Sequence, residues 1–505
     1  MDSLWPVFQR TVARVPERPA LIVGEEKHSF SAWAQRVDEF RVRYLAAELE
    51  AGDRVLLWVE NCFDIAAALV AAWGCGAIPV LMDSQCRRPQ LLHALASVDA
   101  HILVHHKALP EGAIPACPVV LCTKDVPKLS GGHNLPDPSA LPGDPASIVF
   151  TSGSSGPPKG VVQSHQNLCR GCRAVYDYLH FRDEDLLLCP VPWSFDYGYG
   201  QLLSSIVCGL PQVLPTVTNP FGICEAIEAH HPTLLAGTPS LFAYLLGGMS
   251  PIERTELSSV RTLTSTGGRM AEELITRLLQ QFPKAELILN YGLTETYRSC
   301  HLPFEKLQDK PGSIGVPIPG VDLVIVREDG SLAEANEEGE IVHRGDYVFL
   351  GYWGDAQASS RVLRPDPLPS APLDDEQLAV YTGDLGYRDE EGYFYFLGRS
   401  DQQIKSMGVR VSPTEVEDLL LQSSLVSHAA VFAIPHELMG QEIWAAVVPQ
   451  DNQELVQRDL VVFARTTMSM YMQPRKYLVL ESLPRTTTGK VNYQTLIEAA
   501  TSPPD

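Results

Sequence analysis

The chain reads as an α/β protein, with a large N-terminal domain of helix-covered β-sheets and a smaller α+β C-terminal domain. Three observations predict this. Its 505 residues exceed what one hydrophobic core usually supports. Through the first third, short β-rich runs alternate with helical stretches, the pattern of parallel strands covered by helices. From Tyr381 the pattern changes to glycine-bounded turns, followed after Asp401 by a separate set of helices and strands.

The strands are read in order from β-branched runs. Arg54–Glu60 (RVLLWVE), Ala77–Met82 (AIPVLM), His101–His105 (HILVH) and Pro118–Cys122 (PVVLC) are candidates. The uncharged run Ile65–Met82 has the length of a membrane span, but Gly74, Gly76 and Pro79 interrupt it. It reads as a buried helix turning into a buried strand. Ala108–Pro145 and the acidic, proline-rich Arg364–Asp375 have the composition of surface connections, the second of them mobile. Ser147–Phe150, Tyr393–Leu397 and Ala429–Ile434 read as further strands, and a helix is predicted from Pro413, with Ser412 or Thr414 as its cap. The domain boundary is placed near Arg399–Gln403, giving domains of residues 1–399 and 400–505, the second of ordinary size.

Composition excludes several functions. With 45% apolar and 20% charged residues, the chain is an ordinary globular one. A net charge of −22 argues against a nucleic-acid partner, yet leaves room for a local cationic pocket. No secretory signal or membrane span is read, and the eleven irregularly spaced cysteines suggest reduced thiols in a cytoplasmic protein. Cys169 and Cys172 form a Cys-x-x-Cys pair without the second pair or histidines that a zinc site needs.

The chemistry begins at Thr151–Gly160 (TSGSSGPPKG), directly after the strand Ser147–Phe150. Its glycines let backbone amides approach an anion, its hydroxyls add donors and Lys159 adds a positive charge. It is not a Walker loop, because Pro158 stands five positions after Gly153 and Gly160 follows Lys159. It is not a nucleophile elbow, because Pro157 takes the last glycine position.

The segment resembles the phosphate loop of the adenylate-forming superfamily: acyl-CoA synthetases, amino-acid adenylation domains and luciferases. Ser154–Ser155 replaces the usual threonine pair. Four further segments match in the family's order: Ser265–Arg269 (STGGR), Asn290–Glu295 (NYGLTE), Tyr381–Asp384 (YTGD) with Arg399 beyond it, and Pro484–Lys490 (PRTTTGK).

The resemblance implies that Thr151, Ser152, Gly153, Ser154, Ser155, Gly156 and Lys159 hold the ATP phosphates. Gly267, Gly268 and Tyr291 would hold adenine, and Gly292 would also contact the nucleotide. Thr294 would touch the α-phosphate, Glu295 would hold Mg2+, and Asp384 with Arg399 would take the ribose. Lys490 would be the catalytic lysine on a mobile C-terminal domain hinged at Asp401. That domain would bring Lys405 and Gly408 to the thiol step, with Gly408 leaving room for a phosphopantetheine arm.

The implied reaction joins a small carboxylic acid to AMP with loss of pyrophosphate, then passes the acyl group to a thiol. The acid is read from Pro192–Gly200 (PWSFDYGYG). Phe195–Asp196 resembles the Phe-Asp of amino-acid adenylation domains, and a carboxylate in an aromatic pocket is costly unless a cation meets it. This favours an amino acid, with Trp193 and Tyr197 shaping the pocket and a separate carrier protein as acceptor. The alternatives are a fatty or aryl acid joined to coenzyme A and, from another class, a non-catalytic nucleotide-binding relative. Arg298 reads equally as a substrate-facing charge or a structural ion-pair partner.

Overall fold

The computed structural model describes residues 3–86, 88–109, 117–128, 135–151, 158–368, 377–400, 404–406, 409–436, 440–450, 457–468, 470, 472–486 and 490–501. It has the predicted mixed α/β architecture, with a large N-terminal body of sheets and a small C-terminal one. The chain divides into two compact units: Met1–Leu323 with His343–Val380, and Val324–Val342 with Tyr381–Asp505.

In the larger unit one sheet runs in the order Gly351–Tyr352, Lys159–Ser164, Pro145–Thr151, Ile78–Asp83, Arg54–Val59, Ile102–His105, Val119–Cys122. The last five are mutually parallel, and Lys159–Ser164 is antiparallel to both its neighbours. Arg54–Val59 shows why such strands read as continuous apolar runs. Val55, Leu57 and Val59 enter one core, while Leu56 and Trp58 enter another beneath the helix Arg88–Val98. The uncharged run resolves as predicted into the helix Phe63–Gly74 and the strand Ile78–Asp83. Every helix residue from Ile65 onward is buried, as expected of a helix that is apolar all round. No helix among the described residues is long and apolar enough to cross a membrane.

A second sheet places the parallel strands Gln212–Leu214, Leu187–Leu188, Leu234–Gly237, Thr262–Ser265 and Glu286–Tyr291 side by side. Strand ends in such sheets are where ligands bind. The two last-named strands therefore set the motifs Ser265–Arg269 and Asn290–Glu295 next to each other.

In the smaller unit the hairpin Val426–His436 with Gly440–Pro449 forms the spine, and Lys476–Val479 runs parallel to the second strand. Val431, Ile443 and Ala445 face one core with the helices Pro413–Leu421 and Gln457–Thr467; Ala430, Phe432 and Trp444 face another with Tyr493–Thr501. The helix at Pro413 begins where predicted, but its cap differs. Ser412 occupies the cap position without capping; its hydroxyl donates to the Leu397 carbonyl at 2.7 Å. The predicted loop Arg364–Asp375 also differs at its start, where Leu363–Pro365 is a strand paired with Leu378–Val380; residues 369–376 lie outside those described.

Glu417 links three elements of this unit. Its Oε1 accepts from the Val431 amide at 2.7 Å and the Tyr493 hydroxyl at 2.9 Å. Burial raises its pKa to about 7, against the opposing pull of those two bonds. Because the folded pKa lies above the unfolded one, the stabilisation is complete below about pH 4.5 and is lost as pH rises through 7. The loss amounts to no more than about 3 kcal/mol, since the carboxyl keeps partial solvent contact. Amide exchange in Val426–His436 is expected to quicken between pH 5 and 8, after correction for intrinsic rates, and Glu417→Gln is expected to flatten that rise. An unchanged pH dependence in the variant would remove Glu417 from this role.

Candidate active site

The predicted phosphate loop falls between two paired strands. Thr151 and Lys159 stand opposite each other at the ends of two antiparallel strands, so residues 152–157 join those ends. Ser152, Gly153, Ser154, Ser155 and Gly156 themselves lie outside the described residues. Lys159 is exposed, with Nζ 5.0 Å from the ring centroid of Tyr352. The Tyr352 hydroxyl in turn donates to Glu295 Oε1 at 2.6 Å, a short charge-assisted bond. Tyr352 thus ties two predicted site residues together, and the sequence reading missed it. Its only signal is the short strand Gly351–Tyr352, which pairs with Val161 and Val162 just beyond Lys159.

The turn after Glu286–Tyr291 is held on every side. Gln163 Nε2 donates to the Thr294 carbonyl at 2.8 Å, and the Phe349 amide donates to the Glu295 carbonyl at 3.0 Å. The Leu293 amide donates to Thr296 Oγ1, which contacts Ser299 Oγ at 3.0 Å. Ser299 donates to His343 Nδ1 at 2.9 Å, because His343 Nε2 is spent on the Asp346 carbonyl. Burial depresses the His343 pKa to about 4, so the ring is neutral and the direction of this chain is fixed. The turn folds back so tightly that a Cβ at Gly292 would lie 2.9 Å from Arg298 Cα. Glycine is required there.

Beneath the turn, Asn290 Nδ2 donates to Thr264 Oγ1 at 2.8 Å and to the Ser265 carbonyl at 3.1 Å. This stitches the two motif-bearing strands together and brings Tyr291 and the exposed pair Gly267–Gly268 to adjoining strand ends. A Cβ at Gly267 would meet only Thr238 Cγ2 at 3.7 Å, and one at Gly268 only Pro239 Cγ at 3.9 Å. A flat ring can approach such a surface.

The stretch predicted to recognise the acid forms the start of the helix Asp196–Leu203. Trp193 is fully buried in the core. Tyr197 is buried too, and its hydroxyl donates to the Thr264 carbonyl at 2.7 Å. Asp196 is half-buried, with Oδ1 accepting from the Tyr197 amide at 2.8 Å. The cation near it belongs to the chain itself. Arg298 is buried, stacks 4.8 Å over the Tyr197 ring, and donates from Nη1 to the Tyr297 carbonyl at 3.0 Å. Burial opposes its charge most; Tyr178, the Asp196 carboxylate, Tyr197 and Tyr297 outweigh that and hold its pKa above the usual arginine value.

In the smaller unit Asp384 and Arg399 are cross-strand partners. Arg399 Nη1 donates to Asp384 Oδ1 at 2.9 Å and to the Thr382 carbonyl at 3.0 Å. Gly383, at φ +71°, makes the turn that leaves the Asp384 amide on Thr382 Oγ1 at 3.0 Å. Asp384 is only 3% exposed. Lys490 is exposed; its carbonyl accepts from the Thr486 amide at 2.7 Å, and the bridge Arg485↔Val491 closes the surrounding loop. Lys405 belongs to the strand Ile404–Ser406, while Asp401 and Gly408 lie outside the described residues.

Residues 8–353 match the family described as AMP-binding enzyme, and residues 415–490 match the AMP-binding enzyme C-terminal domain. The first match spans more than half of the chain. The chain belongs to the AMP-binding enzyme family. It is an AMP-forming ligase. Among its relatives, a long-chain-fatty-acid–CoA ligase of Bacillus subtilis (strain 168) is 30% identical over 74% of this chain, the match spanning 64% of that protein, just under two thirds. A feruloyl-CoA synthase of an Amycolatopsis species is 28% identical over 96% of both chains. The o-succinylbenzoate CoA synthetase of Bacillus subtilis, solved with its acyl-adenylate, superposes with a TM-score of 0.87 at 23% identity, covering 100% of this chain and 99% of that one. The same synthetase solved with ATP and a magnesium ion gives 0.85, also at 23% identity, covering 97% and 98%.

All three of these AMP-binding relatives are named for coenzyme A, which favours the alternative reading of the acceptor over the amino-acid and carrier-protein one. A cavity of about 440 Å³ elsewhere in the larger unit, lined by Arg10, Arg14, Arg173 and Asp183 among others, contains none of the family's motif residues.

Proposed function

We propose that this AMP-binding enzyme activates an acyl or aryl carboxylic acid with ATP and transfers it to coenzyme A. The observation that carries this choice is Asp196. The amino-acid reading needs a substrate ammonium to meet a carboxylate in an apolar pocket. Here the Tyr197 amide, at the start of a helix, already donates to that carboxylate, and Arg298, which forms no ion pair with it, adds only a more distant attraction. The names of the relatives support the same choice.

In this reading the Thr151–Lys159 hairpin holds the phosphates, with Ser152 to Gly156 supplying amides and hydroxyls. Tyr291 and the Gly267–Gly268 surface take adenine, Gly292 lets the turn close, and Asp384 accepts the ribose hydroxyls with Arg399 beside it. Thr294 reaches the α-phosphate. Lys490 neutralises the charge that grows as the acid's carboxylate attacks phosphorus. Catalysis is then mostly positioning and electrostatics. A hinge near Asp401 lets the part beyond it move, so that Lys490 serves adenylation and Lys405 with Gly408 serves the thiol step.

Glu295 fits magnesium. Its carboxylate has one oxygen held by Tyr352, and this ion commonly takes one carboxylate together with substrate phosphates. The ion supplies charge neutralisation on those phosphates when bound. Tyr352→Phe removes the bond that holds this oxygen, so the magnesium concentration for half-maximal adenylation is expected to rise about tenfold with stability nearly unchanged. A magnesium titration of pyrophosphate exchange reads this directly, and an unaltered midpoint would assign Glu295 a different task.

The acceptor test is a competition. With an acid that supports pyrophosphate exchange, coenzyme A is expected to yield thioester, whereas holo carrier protein at equal thiol concentration is not. Preferential loading of the carrier would restore the amino-acid reading.

A further inference from the structure

Arg298 is more deeply buried than a structural arginine usually is, at 5% exposed. Among the described residues no carboxylate forms an ion pair with it within 4.0 Å. A guanidinium carries five donors; here one goes to the Tyr297 carbonyl and the Tyr178 hydroxyl oxygen takes another, which leaves donors over. The rings of Tyr197 and Tyr297, at 4.8 and 5.9 Å, supply cation–π attraction but accept no in-plane hydrogen bond. Asp196 attracts the guanidinium from a distance, yet its carboxylate accepts its hydrogen bond from the Tyr197 amide.

Two buried hydroxyls near these segments in the chain are short of partners as well. Ser194 Oγ and Ser265 Oγ are buried without any, and they adjoin the two segments that frame this arginine: Ser194 stands two residues before Asp196, and Ser265 follows Thr264, whose carbonyl holds the Tyr197 hydroxyl. A buried charge with donors to spare is suited to a ligand that brings acceptors. The place is specific: Arg298 lies three residues beyond Glu295 on the same turn and packs on the first turn of the helix begun by Asp196.

We infer that Arg298 is a specificity-determining residue that receives a second anionic group of the acid, so that the substrate class is a dicarboxylate or a comparably anionic acid. This rests on the ligase reading above. One carboxylate of such an acid attacks the α-phosphate; the other accepts charge-assisted bonds from the guanidinium and is left unchanged.

The test compares acids of matched length or shape, pentanoate with glutarate, hexanoate with adipate and benzoate with phthalate, by acid-dependent pyrophosphate exchange in the unmodified enzyme, Arg298→Met and Arg298→Lys. In at least one pair the unmodified enzyme is expected to favour the diacid in kcat/KM by more than about tenfold. Arg298→Met is expected to lose at least about a hundredfold on the diacid while keeping the monoacid within about threefold, and Arg298→Lys to fall between them. An arginine that only braces the tyrosine layer would instead lower both members of a pair by one factor, and that result would overturn the inference. Preference for the monoacid in every pair would overturn it on the unmodified enzyme alone, whatever the variants do, and would leave the ligase reading standing. No exchange with any acid would remove both.

Discussion

Replacing Lys490 by alanine is expected to lower acid-dependent pyrophosphate exchange by at least about a hundredfold, while thioester formation from preformed acyl-adenylate and coenzyme A continues near its normal rate. The asymmetry follows from charge. As the carboxylate attacks the α-phosphate, negative charge gathers on oxygens that only a preorganised cation can meet without reorganising water. In the thiol step the thiol attacks the acyl carbon and AMP leaves as the carbon–oxygen bond breaks, so no substitution occurs at the α-phosphorus and that demand is gone. Lys490 is exposed on a loop closed by the Arg485↔Val491 bridge, so the side chain carries no packing role that its loss would disturb. Rapid-quench measurement of the two half-reactions separates them. Equal loss in both would show that Lys490 is not the adenylation lysine.

The second large effect is the converse. Asp401→Pro is expected to leave adenylation nearly intact and to slow thioester formation by about ten- to a hundredfold. Arg399 is fixed in strand register opposite Asp384, and Ile404 is fixed opposite Val411. In the proposed hinge motion a change of chain direction would fall between these two registered pairs, where Asp401 lies. Hinges work by large φ/ψ changes at such positions, and proline removes the freedom in φ. Single-turnover transfer from enzyme-bound adenylate is the measurement. Normal transfer in the variant would place the hinge elsewhere.

What was legible in the sequence was local, and what was not came from pairings distant in the chain. Ser147–Phe150 announces a buried strand through its own residues, and the motif at Asn290–Glu295 announces a turn. The strand Lys159–Ser164 carries less of a signal, because it begins on the exposed lysine of the loop itself. Tyr352 is silent until its short strand pairs beside that one and sets its hydroxyl on Glu295. Asp196 shows the same limit from the other side. Its carboxylate suggests a cationic substrate only while Arg298, more than a hundred residues later, is not known to pack on the same helix turn. At Ser412 the cap position is legible, but the hydroxyl's choice of Leu397 depends on a strand that local sequence does not bring near.

The reaction itself is tested most directly by the fate of oxygen. With an acid whose carboxylate is labelled with 18O, attack on the α-phosphorus forms a carbon–oxygen–phosphorus bridge, and displacement by the coenzyme A thiol breaks it on the carbon side. Each turnover is then expected to release AMP bearing one labelled oxygen, with none in pyrophosphate. Label in inorganic phosphate with ADP as the product, or unlabelled AMP alongside thioester, would contradict an acyl-adenylate route for this chain.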